Sequence, residues 1–471
     1  MRWRIVLWTA IGAFTAGLGS LSVLRHQAFT TGRFDLGNMV QAVWSTAHGD
    51  PLQVTNLRGE QISRLGVHFD PILAALAPLW WLWPDASLLL TVQVTAVALG
   101  AVPVFLLARK HLGSERAGAG FALAYLLYPP TQWLALNEFH PVALATPLLL
   151  AAFWYLDEDR LLPFAIVAAA ACLTKEHVPL VVAMLGVWYA VARRRPREGA
   201  VIAGAGVATA AFAIGIVIPH FSPRGTSAFG GRYEAVGGGP LGIAETALTD
   251  PLRLFEEAFD GHALPYLLEL ALPLLALPLL APVALVTVLP ELVLNLLSAT
   301  RTQQSIHYQY AATAIPGLTV AAVFGAASLR RRRGWVQPVA TAAVVGCLAA
   351  NYVVGPLPIW RHFPGGETLA TRAHEVTEHD RVSARALRLI PDDTVVSATN
   401  SLAAHLSERE RILSFPVLDD AAWIAVDETR PGYADRVAPL PTAIRVRQLR
   451  LDPLWRVVFD EDGVVLFRRR D

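Results

Sequence analysis

Apolar runs long enough to form bilayer-spanning helices recur through most of this sequence, and they constrain the fold before any motif is considered. About twenty apolar residues cross the hydrocarbon core as a helix. Runs near 5–24, 86–108, 117–136, 141–156, 161–174, 178–192, 199–218, 264–281, 283–298, 310–329 and 335–353 therefore predict about eleven crossings. With 54% hydrophobic and 16% charged residues in 471, the chain is too apolar for a water-soluble protein of this size. The first run follows Arg2 and Arg4 as a secretory signal would. It is nevertheless long enough to span, and Arg25, His26 and Gln27 are not a small-residue cleavage site, so it is expected to remain as the first helix. Cys172 and Cys347 lie far apart inside apolar runs, which points to neither a disulfide framework nor a zinc site. A net charge of +1 gives no field that would favour nucleic acid as a partner.

Charge placement orients the bundle. Alternating the runs from a cytoplasmic N-terminus puts Arg109 with Lys110, Arg193 to Arg195, and Arg330 to Arg333 inside, where basic loops belong. The loop Asp157 to Arg160 fits this rule least well. Segments 25–85, 137–140, 175–177, 219–263 and 299–309 then face outward, with the tail from about Val354. The unusual polar residues gather in those segments, so any chemistry is expected on the outer face of a multi-pass plasma-membrane protein. Residues 1–353 read as an all-α membrane bundle, 354–380 as a linker and 381–471 as a small extracytoplasmic α/β domain. Its signals are an alternating strand after Pro391, a short helix over 401–408, and a closing hairpin from Trp455 through Gly463.

In the first outer loop, bulky apolar residues at 34, 40, 43, 44 and 47 and polar ones at 35, 38, 41 and 45 predict an amphipathic helix on the membrane surface. Asp35 falls in its first turn, and Thr30 or Thr31 would cap it. The segment from Gly66 to Pro84 holds too few apolar residues to span, and its three tryptophans suit the interface, so it predicts a second surface helix.

An acidic residue just after the first helix, an amphipathic segment ending at His48 to Pro51, and His68 to Leu73 before a short apolar helix resemble the first loop of GT-C superfamily glycosyltransferases. The protein O-mannosyltransferases and lipid A aminoarabinose transferases are most similar. Most of residues 25–330 also resembles a prokaryotic membrane-protein family defined by a domain of unknown function, through Phe34 to Gly37, His68 with Phe69, Pro78 with Leu79, Asn137 to His140, and Lys175 with Glu176. The chain departs from the GT-C pattern in one respect: a lone Asp35 followed by Leu36 stands where those enzymes usually carry paired acids.

The GT-C resemblance implies a sugar donor joined to polyprenyl phosphate, and a glycan, lipid or protein acceptor outside the membrane. Such a transfer needs a carboxylate to take the acceptor's proton and cations to hold the leaving phosphate. Asp35 is the candidate base or metal ligand, with helix capping as its structural alternative. His68 and Asp70 are candidate substrate contacts, although Asp70 before Pro71 also suits a turn or cap. Asn137, Glu138 and His140 form a tight turn that suits acceptor binding or, through Glu138 with Asp35, a divalent ion; the turn alone would also explain Asn137 and Pro141. Lys175, Glu176 and His177 are costly in a short apolar hairpin, so Lys175 suits the donor phosphate unless it merely pairs with Glu176. Arg301, His307 and Tyr308 suit phosphate or sugar contacts, or else an interfacial anchor. Arg224 and Arg232, among glycines in 219–263, suit a loop that covers substrate. A transporter or lipid flippase, or a non-catalytic scaffold, remains the competing class at this point.

Overall fold

The computed structural model describes residues 2–223, 225, 230–329, 335–366, 372–436 and 440–470. Arg224, Arg330 to Arg333 and part of the expected linker lie outside them. Among the described residues four helices are long and apolar enough to cross a membrane: Arg2–Gln27, Ala86–Leu112, Pro196–Phe221 and Val336–Val354. Seven shorter apolar helices accompany them, so the four spans are the part of the expected eleven that helix length and composition support.

The shortfall has local causes. The run expected over 117–136 stops at Leu127 and restarts at Pro129, because Pro129 and Pro130 cannot continue a helix from within but suit its first turn. The run over 264–281 is interrupted at Leu275 and Ala276, both left-handed with φ of 57° and 52°. At 1.5 Å per residue, Leu161–Cys172 is only about 18 Å long. These pieces pack into one apolar core that includes Val97, Val104, Phe121, Leu149, Trp188 and Ile315. Small residues allow close approach where Val178–Ala192 meets Pro196–Phe221. A Cβ on Gly186 or Gly199 would lie 2.6 Å from the facing backbone.

The first loop departs from its expected surface position. A wide turn over Arg33–Gly37 runs into the helix Asn38–Ala47. The apolar side of that helix, Met39, Val40 and Val43, is buried against Leu73, Leu76, Trp80, Leu89 and Phe139 of the protein, not left to lipid. Its polar residue Gln41 is buried as well, and donates to the carbonyls of Arg409 and Glu410 in the tail. A hairpin of β1 (Gln53–Thr55) and β2 (Gln61–Ser63) follows. The second segment is a tight 3-10 helix over Pro71–Leu76 and one α-turn over Ala77–Trp80, with Trp81, Leu82 and Trp83 exposed.

The tail forms a five-stranded mixed sheet in the order β4-β3-β5-β7-β6, with β3 at Val396–Ala398, β4 at Ile412–Ser414, β5 at Trp423–Asp427, β6 at Trp455–Glu461 and β7 at Val464–Arg469. β3 pairs in parallel with β4 and β5, while β7 pairs antiparallel with β5 and β6. Helices Glu378–Leu387, Asn400–Ala404 and Thr442–Leu451 are part of the same domain, the first held by a Thr377–Asp380 capping box. The domain packs directly onto the membrane bundle's first loop. His405 stacks on His26 at 3.9 Å and on Phe29 at 4.0 Å, and Phe29 joins the tail's own apolar core.

Candidate functional site

Asp35 is presented by the Arg33–Gly37 turn. Neither threonine caps that turn: Thr31 is hydrogen-bonded to the His26 ring, and Thr30 donates to the carbonyls of Arg25 and Ala373. Glu138 does the capping instead. Its carboxylate accepts the amides of Gly32, at 3.0 and 3.1 Å, and of Leu36, at 2.9 Å. An acid from 102 residues along the chain thus satisfies the open amides, and Asp35 has no capping task. Both Glu138 oxygens accept these amides, so the side chain expected as a metal ligand beside Asp35 is engaged with the backbone of the Asp35 turn.

Gln93, in the Ala86–Leu112 helix, holds the 137–140 turn. Its amide donates to the carbonyls of Asn137 at 3.0 Å and Glu138 at 2.6 Å, and its carbonyl accepts the His140 amide at 2.8 Å. Asn137 donates to Gln309 at 2.9 Å and so ties the turn to the next segment. His140 then faces Asp35, with Nε2 3.3 Å from Oδ1.

Asp35, His68, Asp70, His140 and Lys175 line one hollow of about 520 Å³, together with Arg58, Arg64 and Arg232. The Asp35 side chain is 42% exposed into it, whereas that of His140 is only 7% exposed. Burial alone would raise the Asp35 pKa, but the hydrogen bond and charge of His140, with Arg64 and Lys175 behind it, hold it below the usual carboxylate value. Burial, and then the nearby Asp35 charge, push Glu138 up to about 8. The two acids are thus pushed in opposite directions, Asp35 toward its ionised form and Glu138 away from it.

Lys175 makes no hydrogen bond or ion pair with any described residue, and it does not pair with its neighbour Glu176. Glu176 instead accepts from His68 Nδ1 at 2.9 Å and from the Phe69 amide at 3.1 Å. Burial lowers His68 to about 4, so at neutral pH it is an uncharged ring whose Nδ1 carries the proton toward the carboxylate. Asp70 does not cap the helix that follows; Arg64 grips its Oδ2 through Nε at 3.0 Å and Nη2 at 2.8 Å. Burial still raises the Asp70 pKa. Sequence reading missed Arg64, for which the six-residue separation from Asp70 was the only cue.

Other expected residues lie elsewhere. His177 turns into the bundle, 3.0 Å from the buried Glu291, which also accepts from Thr313. Arg301 pairs with Asp260, and His307 packs edge-on against Trp133 at 4.7 Å. Both line a separate recess of about 210 Å³, not the hollow. Tyr308 is 40% exposed, and its neighbours Gln309 and Tyr310 line the hollow in its place. Among the described residues no three His, Cys, Asp or Glu side chains converge as a metal site would require.

No curated protein matches this sequence significantly. The fold is shared with the crystal structure of ArnT from Cupriavidus metallidurans in the apo state, with a TM-score of 0.51 at 13% identity, covering 92% of this chain and 93% of that one. Residues 25–466 match the family described as Predicted membrane protein (DUF2079), and the chain belongs to that family.

Proposed function

We propose that this protein is a membrane glycosyltransferase that moves a sugar from a polyprenyl-phosphate donor to an acceptor on the extracytoplasmic side. One observation carries the reading. Asp35 is a part-exposed carboxylate in a solvent-reached hollow, relieved of capping by Glu138, and Lys175, which makes no ion pair with a described residue, lines the same hollow. The membrane-glycosyltransferase-like fold shared with ArnT supports it.

In this mechanism the acceptor hydroxyl gives its proton to Asp35 while its oxygen attacks the sugar's anomeric carbon. The bond from that carbon to the phosphate oxygen breaks with its electron pair, and polyprenyl phosphate leaves as an anion beside Lys175. Inversion at the anomeric carbon follows from a single displacement. His140 holds the Asp35 carboxylate in place, and the leaving phosphate needs no general acid. A divalent ion would find Asp35 and His140 in the hollow.

Mass spectrometry of envelope glycans and polyprenyl-linked sugars in a deletion strain tests the proposal. A lipid-linked sugar should accumulate while one glycan signal disappears. Unchanged profiles of both would overturn the transferase.

A further inference from the structure

The tail domain grips the peptide that carries Asp35. The Arg33 guanidinium, 1% exposed, donates to Ser414 Oγ at 2.7 Å and to the Ile412 carbonyl at 2.8 Å, both on β4, and to the Thr55 carbonyl of the hairpin. A buried cation with neutral acceptors alone keeps its place only while those acceptors stay. The next amide, that of Phe34, donates to Asn400 Oδ1 at 3.1 Å. The contact is close on both sides of Asp35: a Cβ on Gly32 would lie 2.4 Å from the Asn400 side chain, and one on Gly37 2.5 Å from Ser407 Oγ. Glu138 holds the same turn from the bundle side.

A second connection runs through the hairpin. Arg411 donates to the Gly59 carbonyl at 2.9 Å, and the Ile412 amide donates to Thr55 Oγ1 at 3.3 Å. Asn56, Leu57, Arg58 and Glu60 of that hairpin line the hollow. Strand β4 therefore sets both the backbone of Asp35 and one wall of the cavity in front of it.

We propose that the C-terminal domain is a working support of the hollow from behind its lining, with Arg33, Asn400 and Ser414 as positioning residues that aim the Asp35 carboxylate. This rests on the reading of Asp35 as the reacting base. Such residues act on the alignment of the base and not on the capture of the lipid phosphate, so their loss separates two measurements that a collapsed site would move together.

The test is made in the full-length protein. The paired substitution Asn400→Ala with Ser414→Ala is compared with Asn400→Asp with Ser414→Thr, which keeps the acceptor oxygen and the hydroxyl. Polyprenyl phosphate alone serves as the binding probe, and transfer is read as the envelope glycan restored to a deletion strain. The alanine pair should bind the probe as the wild type does, exchange its amide hydrogens over 32–37 faster, and lose about tenfold or more in transfer. The conservative pair should recover most of that transfer. Should the alanine pair fold poorly, Asn400→Ala alone, at a half-buried position, is read by the same criteria. Wild-type transfer in the alanine variants, or an equal loss of binding and transfer, overturns the inference. Full transfer in Asp35→Asn would overturn the reading of Asp35 as the reacting base. Loss in Asp35→Asn beside wild-type alanine variants would overturn only the role of the tail.

Discussion

Two polar clusters sit at opposite ends of this bundle, and they differ in how completely their charges are matched. The helices Ala86–Leu112 and Val178–Ala192 both run from the hollow's end to the far end. There Asp157 meets Lys110 at 2.7 Å and His111 at 2.8 Å, Glu158 meets Lys110 at 2.6 Å, and Asp159 meets Arg193 at 3.0 Å and Tyr189 at 2.8 Å. Each acid of the loop that fitted the charge rule least well is thus neutralised by basic residues of neighbouring turns. In the hollow the matching is partial: Arg64 is taken by Asp70 and His68 by Glu176, whereas Asp35 meets the His140 ring and Lys175 makes no ion pair with a described residue. Closed charge networks hold helices together, whereas incompletely matched groups around a cavity are available to a ligand.

The sharpest way to break this comparison is to remove one acid from each cluster. Asp35→Asn should cost about 10²-fold or more in transfer while the protein stays folded, as read by glycan restoration and thermal unfolding. Asp157→Asn should do the reverse. It leaves Lys110 and His111 without their shared partner, and, since Lys110 is 34% exposed and partly re-solvated, thermal unfolding should show a loss on the order of 1–3 kcal/mol with transfer retained. Equal effects of the two substitutions on transfer would erase the distinction.

A tenfold effect is expected for Lys175→Ala. Loss of one charge-assisted contact should weaken polyprenyl phosphate binding about tenfold, whereas Lys110→Ala should leave binding unchanged. Glu138→Gln should cost about 1 kcal/mol as a weakened cap, with a smaller loss of transfer than Asp35→Asn; the opposite ranking would exchange the roles assigned to the two acids.

The smallest effect concerns the docking of the tail. Burial, and then the nearby His26, hold His405 well below the ordinary histidine value. The docked tail therefore excludes a proton that a released tail would bind, so this contribution is complete above about pH 6.5 and declines as the pH falls below it. The protection of amide hydrogens across 400–407, taken relative to the intrinsic exchange rate at each pH, should fall between pH 7 and pH 5, and His405→Phe should weaken that dependence.

Much of the site was legible because it follows local rules. An acid immediately after a spanning helix, and a lysine in a short turn between two apolar runs, are unusual enough to mark Asp35 and Lys175 from sequence alone. The cap was not legible, since Glu138 reaches Gly32 and Leu36 across more than a hundred residues. Arg301 and His307 carried the right chemistry, but the sequence order does not say which recess a loop residue enters, and they line another one. In the fold, Pro129 and Pro130 carried the signal for a break, but the unbroken run expected over 117–136 passed through them. The left-handed Leu275 and Ala276 carried no such signal. The tail's hairpin was visible as alternating residues, yet its docking rests on Arg33 and Gln41. The one hint was a glutamine beside the apolar face of an amphipathic helix.

The most direct test of the central claim is a single-turnover transfer assay with purified protein in lipid, comparing wild type with Asp35→Asn on the lipid-linked sugar that accumulates in the deletion strain. Wild-type protein should release polyprenyl phosphate and form the glycoside with inverted configuration, while Asp35→Asn should bind the donor and leave it intact. Release of the sugar by Asp35→Asn at the wild-type rate would contradict the account.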